Sequence, residues 1–250
     1  IIDPAPAVAR QAGRVLEAQG LLNKSRKKGS VEYLSTGDPQ VFNTVAGKLL
    51  GQALEASALK WQGKELKAEH SLSFEDIKAG FEMRANPQNA VPMKAYMRNQ
   101  FEYYGLKSPE MRAFLRAPLE EAKGHTQVDW ELVKALWEAP QREMQYFAIA
   151  YLNAVKKLLI SSDLPILKTL IQKKSWWDTV DSLDGLVGFL VQKDPALKEE
   201  MRSWSKDPDF WVRRSAIDHQ LGFKAKTDTA LLEEIILNNL RSKEFFINKA

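Results

Sequence analysis

The sequence predicts a mainly α fold, an α-solenoid of stacked helix pairs, preceded by a small α/β fragment. Three observations carry this reading. From Ser71 onward, helix-start residues and helix breakers alternate at short intervals. Between them apolar residues recur at helical spacing, and no stretch alternates like a convincing strand. Residues 1 to about 53 follow another pattern, with a strand-like stretch set between two helices.

Taken in order, Ile1-Ile2-Asp3-Pro4 reads as the end of a buried strand turning into a helix from about Pro6 to Leu22. A basic loop, Lys24 to Gly29, follows, and Val31 to Ser35 alternates like a strand. Asp38 and Pro39 then supply an N-cap and a first helical residue for an amphipathic helix to about Leu50. Residues 54–70 have weak periodicity and read as a linker or a loosely docked helix. Ser73 with Asp76 caps a helix to about Arg84, and Asn86-Pro87 ends it. The next carries Met93, Tyr96, Met97 and Phe101 and breaks at Gly105; Ser108 and Pro109 open a third. Asp129 caps a short helix through Trp137, and Pro140 separates it from a long one through Val155. Asp163 caps another to about Lys173, and Gly185, Pro195 and Pro208 punctuate those that follow. Ser242 starts a last helix whose Phe245, Phe246 and Ile247 anchor it by packing. Pairs of short helices of similar length, sharing one core, make a curved solenoid of the HEAT type.

The 250 residues are 44% hydrophobic and 27% charged, enough to bury a sizeable core. A net charge of +4 permits a polyanionic partner. The lack of cysteine excludes disulfides, thiolate metal sites and cysteine nucleophiles. No apolar run approaches membrane-spanning length, so the reading is a cytosolic monomer without a membrane partner. The first residue is Ile and the chain stops at Ala250 inside a helical pattern, which reads as a fragment cut at both ends.

Chemistry concentrates in Lys173-Lys174-Ser175-Trp176-Trp177-Asp178-Thr179-Val180-Asp181-Ser182. Ser175 with Asp178 reads as a helix start, and Trp177 and Asp181 are then i, i+4 neighbours on one face. An aromatic surface beside a carboxylate suits a cationic or electron-poor ligand. Lys173, Lys174, Arg213, Arg214, Lys224, Lys226, Arg241 and Lys243 fall near successive helix ends. Interleaved with Trp177, Phe210 and Trp211, they form the stripe a duplex backbone requires, or else solvated helix termini favoured by the macrodipole. His70, His125 and His219 are scattered singly, and no metal or cofactor motif is present.

Two resemblances follow. Ile1-Ile2-Asp3-Pro4-Ala5 and Thr36-Gly37-Asp38-Pro39 with Phe42 resemble the C-terminal end of glutamate racemases, whose paired catalytic cysteines this chain lacks. Residues 72–250 resemble the HEAT-like-repeat alkylpurine DNA glycosylases. The resemblance rests on Pro92-Met93-Lys94-Ala95-Tyr96-Met97-Arg98, on Lys174 to Ser182, on Asp209 to Ile217, and on Ser242 to Ile247. It implies a metal-free enzyme without cofactor that excises cationic N3- or N7-alkylated purines from duplex DNA in the bacterial cytoplasm. Asp181 falls on the catalytic aspartate, Trp177 on a deoxyribose-contacting tryptophan and Arg214 on an arginine holding the backbone near the lesion. Tyr96, Lys173, Lys174, Trp176, Trp211, Arg213, Lys224, Lys226 and Lys243 are the expected DNA-binding residues. The family's further tryptophan would lie beyond Ala250, which implies weak activity for this chain. A non-catalytic HEAT-like binding module remains open, as does a racemase-like head without racemase activity.

Overall fold

The computed structural model describes residues 5–21, 31, 33–54, 56–62, 65–69 and 72–250. The chain divides into two units, residues 1–69 and 70–250. In the first, helix α1 (Ala5–Ala18) precedes strand β1 (Tyr33–Ser35) and helix α2 (Pro39–Leu50). Asp38 caps α2 as its spacing predicts, accepting from Gln40 N at 2.8 Å, with Pro39 opening the helix. Gly51 closes it with φ 66°, a left-handed turn that glycine adopts without strain. The stretch 54–70 corrects the expectation of a linker or helix. It holds β2 (Ala56–Gln62) and β3 (Glu65–Glu69), which complete a sheet of order β1-β2-β3. β2 pairs parallel with β1 and antiparallel with β3. Its backbone groups find partners in the sheet, which weak periodicity on the sequence could not reveal. Residues 1–4 and the basic loop 24–29 lie outside the described residues.

The second unit is helical among its described residues, with α3 (Phe74–Met83), α4 (Pro87–Tyr96), α5 (Ser108–Ala122), α6 (Trp130–Glu138) and α7 (Arg142–Ala154). There follow α8 (Leu164–Gln172), α9 (Trp177–Lys193), α10 (Lys198–Trp204), α11 (Phe210–Asp218) and α12 (Thr229–Asn239). Helices α5, α7, α9 and α11 form one row, each packed on the next, while α6, α8 and α10 pair with their successors. This is the stacked-pair solenoid. One continuous core runs through it, from Phe81 and Trp137 through Phe147 and Tyr151 to Val187 and Ile235.

Several local expectations are corrected. α4 ends at Tyr96 because Arg98 and Asn99 are left-handed (φ 54° and 59°) and Asn99 N donates back to the Lys94 carbonyl at 2.9 Å. Gly185 breaks nothing and lies inside the 17-residue α9, whose buried face (Val180, Leu183, Val187, Leu190) holds the helix through it. Gly188, one turn further, lets α11 approach closely. A methyl there would stand 2.1 Å from the His219 carbonyl oxygen. Asp163 precedes α8 without capping it, since its carboxylate accepts from Ile160 N at 2.8 Å and Trp130 Nε1 at 3.1 Å. The segment after Ser242 forms turns and no regular helix. Within it Ile247 is buried and Phe246 packs on the core, whereas Phe245 is 63% exposed.

Candidate functional site

The site is built on the start of α9. Trp176 occupies its N-cap in extended geometry, and the expected serine cap is absent because Ser175 Oγ donates to the Ile171 carbonyl at 2.6 Å. Two arginines, one from the preceding helix of the row and one from the following helix, grip the first turns instead.

Arg142, at the start of α7, is fully buried. Its Nε and Nη2 donate to Asp178 at 3.0 and 2.6 Å, and Nη2 also reaches Thr179 Oγ1 at 2.8 Å. Its Nη1 donates to the Lys174 carbonyl at 2.8 Å, and the guanidinium lies 3.8 Å from the centre of the Phe101 ring. Asp178 also accepts from the Tyr146 hydroxyl at 2.7 Å. Burial pushes the Tyr103 hydroxyl up to about 12 and Tyr146 still higher, so both phenols keep their protons at neutral pH. Beside Arg142, Glu143 accepts from the amides of Tyr104, Gly105 and Leu106 at 3.1, 2.8 and 3.3 Å. Burial raises its pKa against the pull of those amides. Gly105 is needed in this turn, since its φ is +93° and a Cβ would meet the Asn86 carbonyl oxygen at 2.1 Å.

Arg214, from α11, is buried and holds Asp181 in a fork: Nε to Oδ1 at 2.8 Å and Nη2 to Oδ2 at 3.1 Å. Its Nη1 donates to the Phe246 carbonyl at 2.6 Å, and Nη2 stands 3.3 Å from Asp218. Burial opposes the Arg214 charge, but the carboxylates outweigh it and raise its pKa. Asp181 itself is 38% exposed, with one edge open to solvent. Behind it, Asp184 is buried and accepts from Ser215 Oγ through Oδ1, while its Oδ2 has no hydrogen-bond partner. Burial pushes Asp184 well above the usual carboxylate range. Asp218 is pushed up to about 6, by burial first, then against the pull of Arg214 and with the push of Asp181. Among the described residues, Asp181, Asp184 and Asp218 bring carboxylate oxygens within 4.8 Å of one another, a spacing that could hold a metal ion. Arg214 already reaches two of the three, and a metal would have to displace its charge.

An aromatic cluster stands beside these pairs. Trp176 lies 6.0 Å from Trp211 and 5.1 Å from Phe246, and Phe210 lies 4.7 Å from Trp211. The exposed Arg98 places its guanidinium 5.8 Å from the Trp176 ring. Trp177 is half-buried against the core, one turn before Asp181 on the same helix.

The sequence-derived residues thus fall into three sets. Trp176, Trp177, Asp181, Trp211 and Arg214 surround the start of α9. No side-chain hydrogen bond or ring contact joins Tyr96, Lys224, Lys226 or Lys243 to them. Tyr96 is 72% exposed at the end of α4, and the three lysines are exposed. Other expected DNA contacts have internal partners. Lys173 pairs with Glu138 at 2.8 Å, and Lys174 donates to the Glu138 and Ala139 carbonyls at 2.8 and 2.5 Å. Arg213 Nη1 donates to the Asp207 and Pro208 carbonyls at 2.7 and 3.2 Å. Trp211 is buried. Sequence reasoning missed Arg142, Asp184, Asp218 and Arg98. Only the i, i+4 spacing of Arg214 and Asp218 was a local signal.

Comparison with known proteins places this geometry. A family model described as "DNA alkylation repair enzyme" matches residues 77–250. A solved structure described as a predicted DNA alkylation repair enzyme from Enterococcus faecalis is 30% identical, with a TM-score of 0.60. The match covers 66% of this chain and 78% of that one. Short stretches match glutamate racemases: 40% identity over 53 residues with that of Lactobacillus helveticus, and 48% over 42 with that of Herpetosiphon aurantiacus. These matches cover 21% and 17% of this chain and 20% and 16% of the racemases, so the chain spans about a fifth or less of these curated relatives. Matched over most of its length, across every helix that builds the α9 site, the chain belongs to the DNA alkylation repair enzyme family.

Proposed function

We propose that the second unit is a DNA glycosylase that hydrolyses the N-glycosidic bond of cationic N3- or N7-alkylated purines in duplex DNA. One observation carries this reading: a solvent-reaching carboxylate, Asp181, is fixed by a buried arginine fork one helical turn from Trp177.

Alkylation puts positive charge on the purine, and the base leaves as a neutral molecule once the bond to C1′ breaks. The sugar then carries oxocarbenium character until water adds at C1′ and gives up a proton. A fixed carboxylate beside that carbon stabilises the developing cation and can orient the water. The face of Trp177 attracts the same cation through its quadrupole. Backbone contacts fall to the exposed cations Lys224, Lys226 and Lys243, and to Arg98 over Trp176. Arg214 acts on Asp181, since its donors face inward.

The test is release of free base from methylated duplex DNA, followed by chromatography. Asp181→Asn should keep duplex affinity and lower base release by about 10²–10³-fold. Parent-rate release by the Asn variant would remove Asp181 from the chemistry and favour the second reading, a non-catalytic module. That reading is favoured by the ion pair itself, because a guanidinium fork cancels much of the charge a catalyst needs.

A further inference from the structure

The α9–α11 pair carries a feature that the proposed chemistry does not use. Arg214 faces three carboxylates, and only Asp181 reaches solvent. A carboxylate in a two-point fork with a guanidinium presents little net negative charge to a cation. Left as an isolated pair, Arg214 and Asp181 would be a poor partner for an oxocarbenium ion. We propose that Asp218 is a positioning residue that supplies a second counter-charge to Arg214, so that Asp181 keeps an effective negative charge toward the sugar. The inference rests on the glycosylase reading.

The geometry makes Asp218 the residue able to do this. Arg214 Nη2 lies 3.1 Å from Asp181 and 3.3 Å from Asp218, so one nitrogen serves two carboxylates. Asp218 sits one turn beyond Arg214 on α11 and is closed to solvent, where low dielectric makes its charge act strongly on its neighbours. Asp184 holds a different place. It is buried against Ser215 and makes no ion pair with Arg214, and burial pushes its pKa well above the usual carboxylate range. Asp218, in contact with Arg214 and pushed up to about 6, is the buried carboxylate placed to change the charge of the pair near neutrality.

On the other elements packed against α11, Glu200 of α10 and Glu233 of α12 are exposed, and the basic groups have partners of their own. Lys168 of α8 pairs with Asp207, Lys198 of α10 with Asp228 before α12, and Arg202 of α10 with Glu234 of α12. His219 turns its Nδ1 to the Ala216 carbonyl. Arg214, Asp181 and Asp184 are left as the charged or titratable groups facing Asp218.

The sign follows. Below about pH 6 Asp218 is neutral, and one cation cancels one anion. Above it the cluster carries an excess negative charge beside the reacting sugar, so base release rises with pH through that value.

The experiment compares single-turnover base release from methylated duplex DNA by the 250-residue chain, Asp218→Asn and Asp184→Asn, between about pH 5 and 8. The parent and Asp184→Asn should show the rise. Asp218→Asn should be flat and about tenfold slower at neutral pH. Removing a group that touches the reacting atoms costs roughly 10²–10³, and Asp218 acts at one remove. Affinity for undamaged duplex should be the same for all three. A rise that persists in Asp218→Asn, or is lost in Asp184→Asn, overturns the proposal.

A second measurement needs no activity. Carbon-13 titration of labelled aspartates in the parent should show one carboxyl with a midpoint near 6, assigned to Asp218 by its loss in Asp218→Asn. If no carboxyl titrates there, Asp218 is not the switchable charge. If the titration appears and the parent releases no base at any pH, the glycosylase reading fails while the charge arrangement stands.

Discussion

Replacing Arg142 by methionine tests whether the start of α9 is held as described. Methionine is unbranched and fills much of the same volume, so the change removes chiefly the charge and its donors. Asp178, whose side chain is 8% exposed, would keep Tyr146 as a donor and lose the guanidinium. The Lys174 carbonyl and Thr179 hydroxyl would lose a donor as well. Breaking a buried pair by removing one partner costs about 3–5 kcal/mol, a large part of the roughly 5–15 kcal/mol available to a folded protein. At about 2–4 °C per kcal/mol for a chain of this size, the melting temperature should fall by roughly 6–20 °C. Urea unfolding followed by tryptophan fluorescence gives the free energy, and Asp178→Asn with the double variant completes a cycle. The double variant should recover part of the loss, because no uncompensated buried charge remains. A loss below about 1 kcal/mol in Arg142→Met, with no coupling in the cycle, would show that α9 does not depend on this pair.

Two further outcomes follow from packing and charge. Gly188→Ala gains helix propensity of about 1 kcal/mol but drives a methyl into the His219 carbonyl. Overpacking of this kind costs roughly 1–3 kcal/mol. The variant should therefore be no more stable than the parent, and base release should drop because α9 and α11 carry Asp181 and Arg214; higher stability with parent-rate release would refute the close approach. Lys224→Ala with Lys226→Ala should lower the slope of log affinity against log salt by about two, whereas Lys174→Ala should leave it unchanged because its ammonium is held by carbonyls. Equal slopes for the two would move the duplex off the 224–226 turn.

The helices were legible because caps and breakers are local. Asp38, Ser73 and Asp129 each accept from the amide that their spacing predicts. Asp163 and Ser175 have the same residue chemistry but turn to Trp130 and Ile171, partners set by packing. The β2–β3 hairpin was missed for a related reason, since its stability lies in cross-strand pairing and not in one strand's pattern. At the site, Trp177 and Asp181 were visible as i, i+4 neighbours, whereas the partners of Asp181 come from α11. A basic residue also reads the same in a sequence whether it faces solvent or an internal carbonyl. Hence Lys174 and Lys224 could not be told apart there.

The two arginine grips on α9 also order events in time during synthesis. A ribosome delivers Arg142 before Asp178, so the first grip can close as soon as α9 emerges. Asp181 must wait 33 residues for Arg214, and Arg214 a further 32 for the Phe246 carbonyl. The scaffold half of the site is therefore complete while the half that sets the charge of Asp181 is still unmade. A nascent chain can present Trp176, Trp177 and Asp181 before the fork exists to aim that carboxylate.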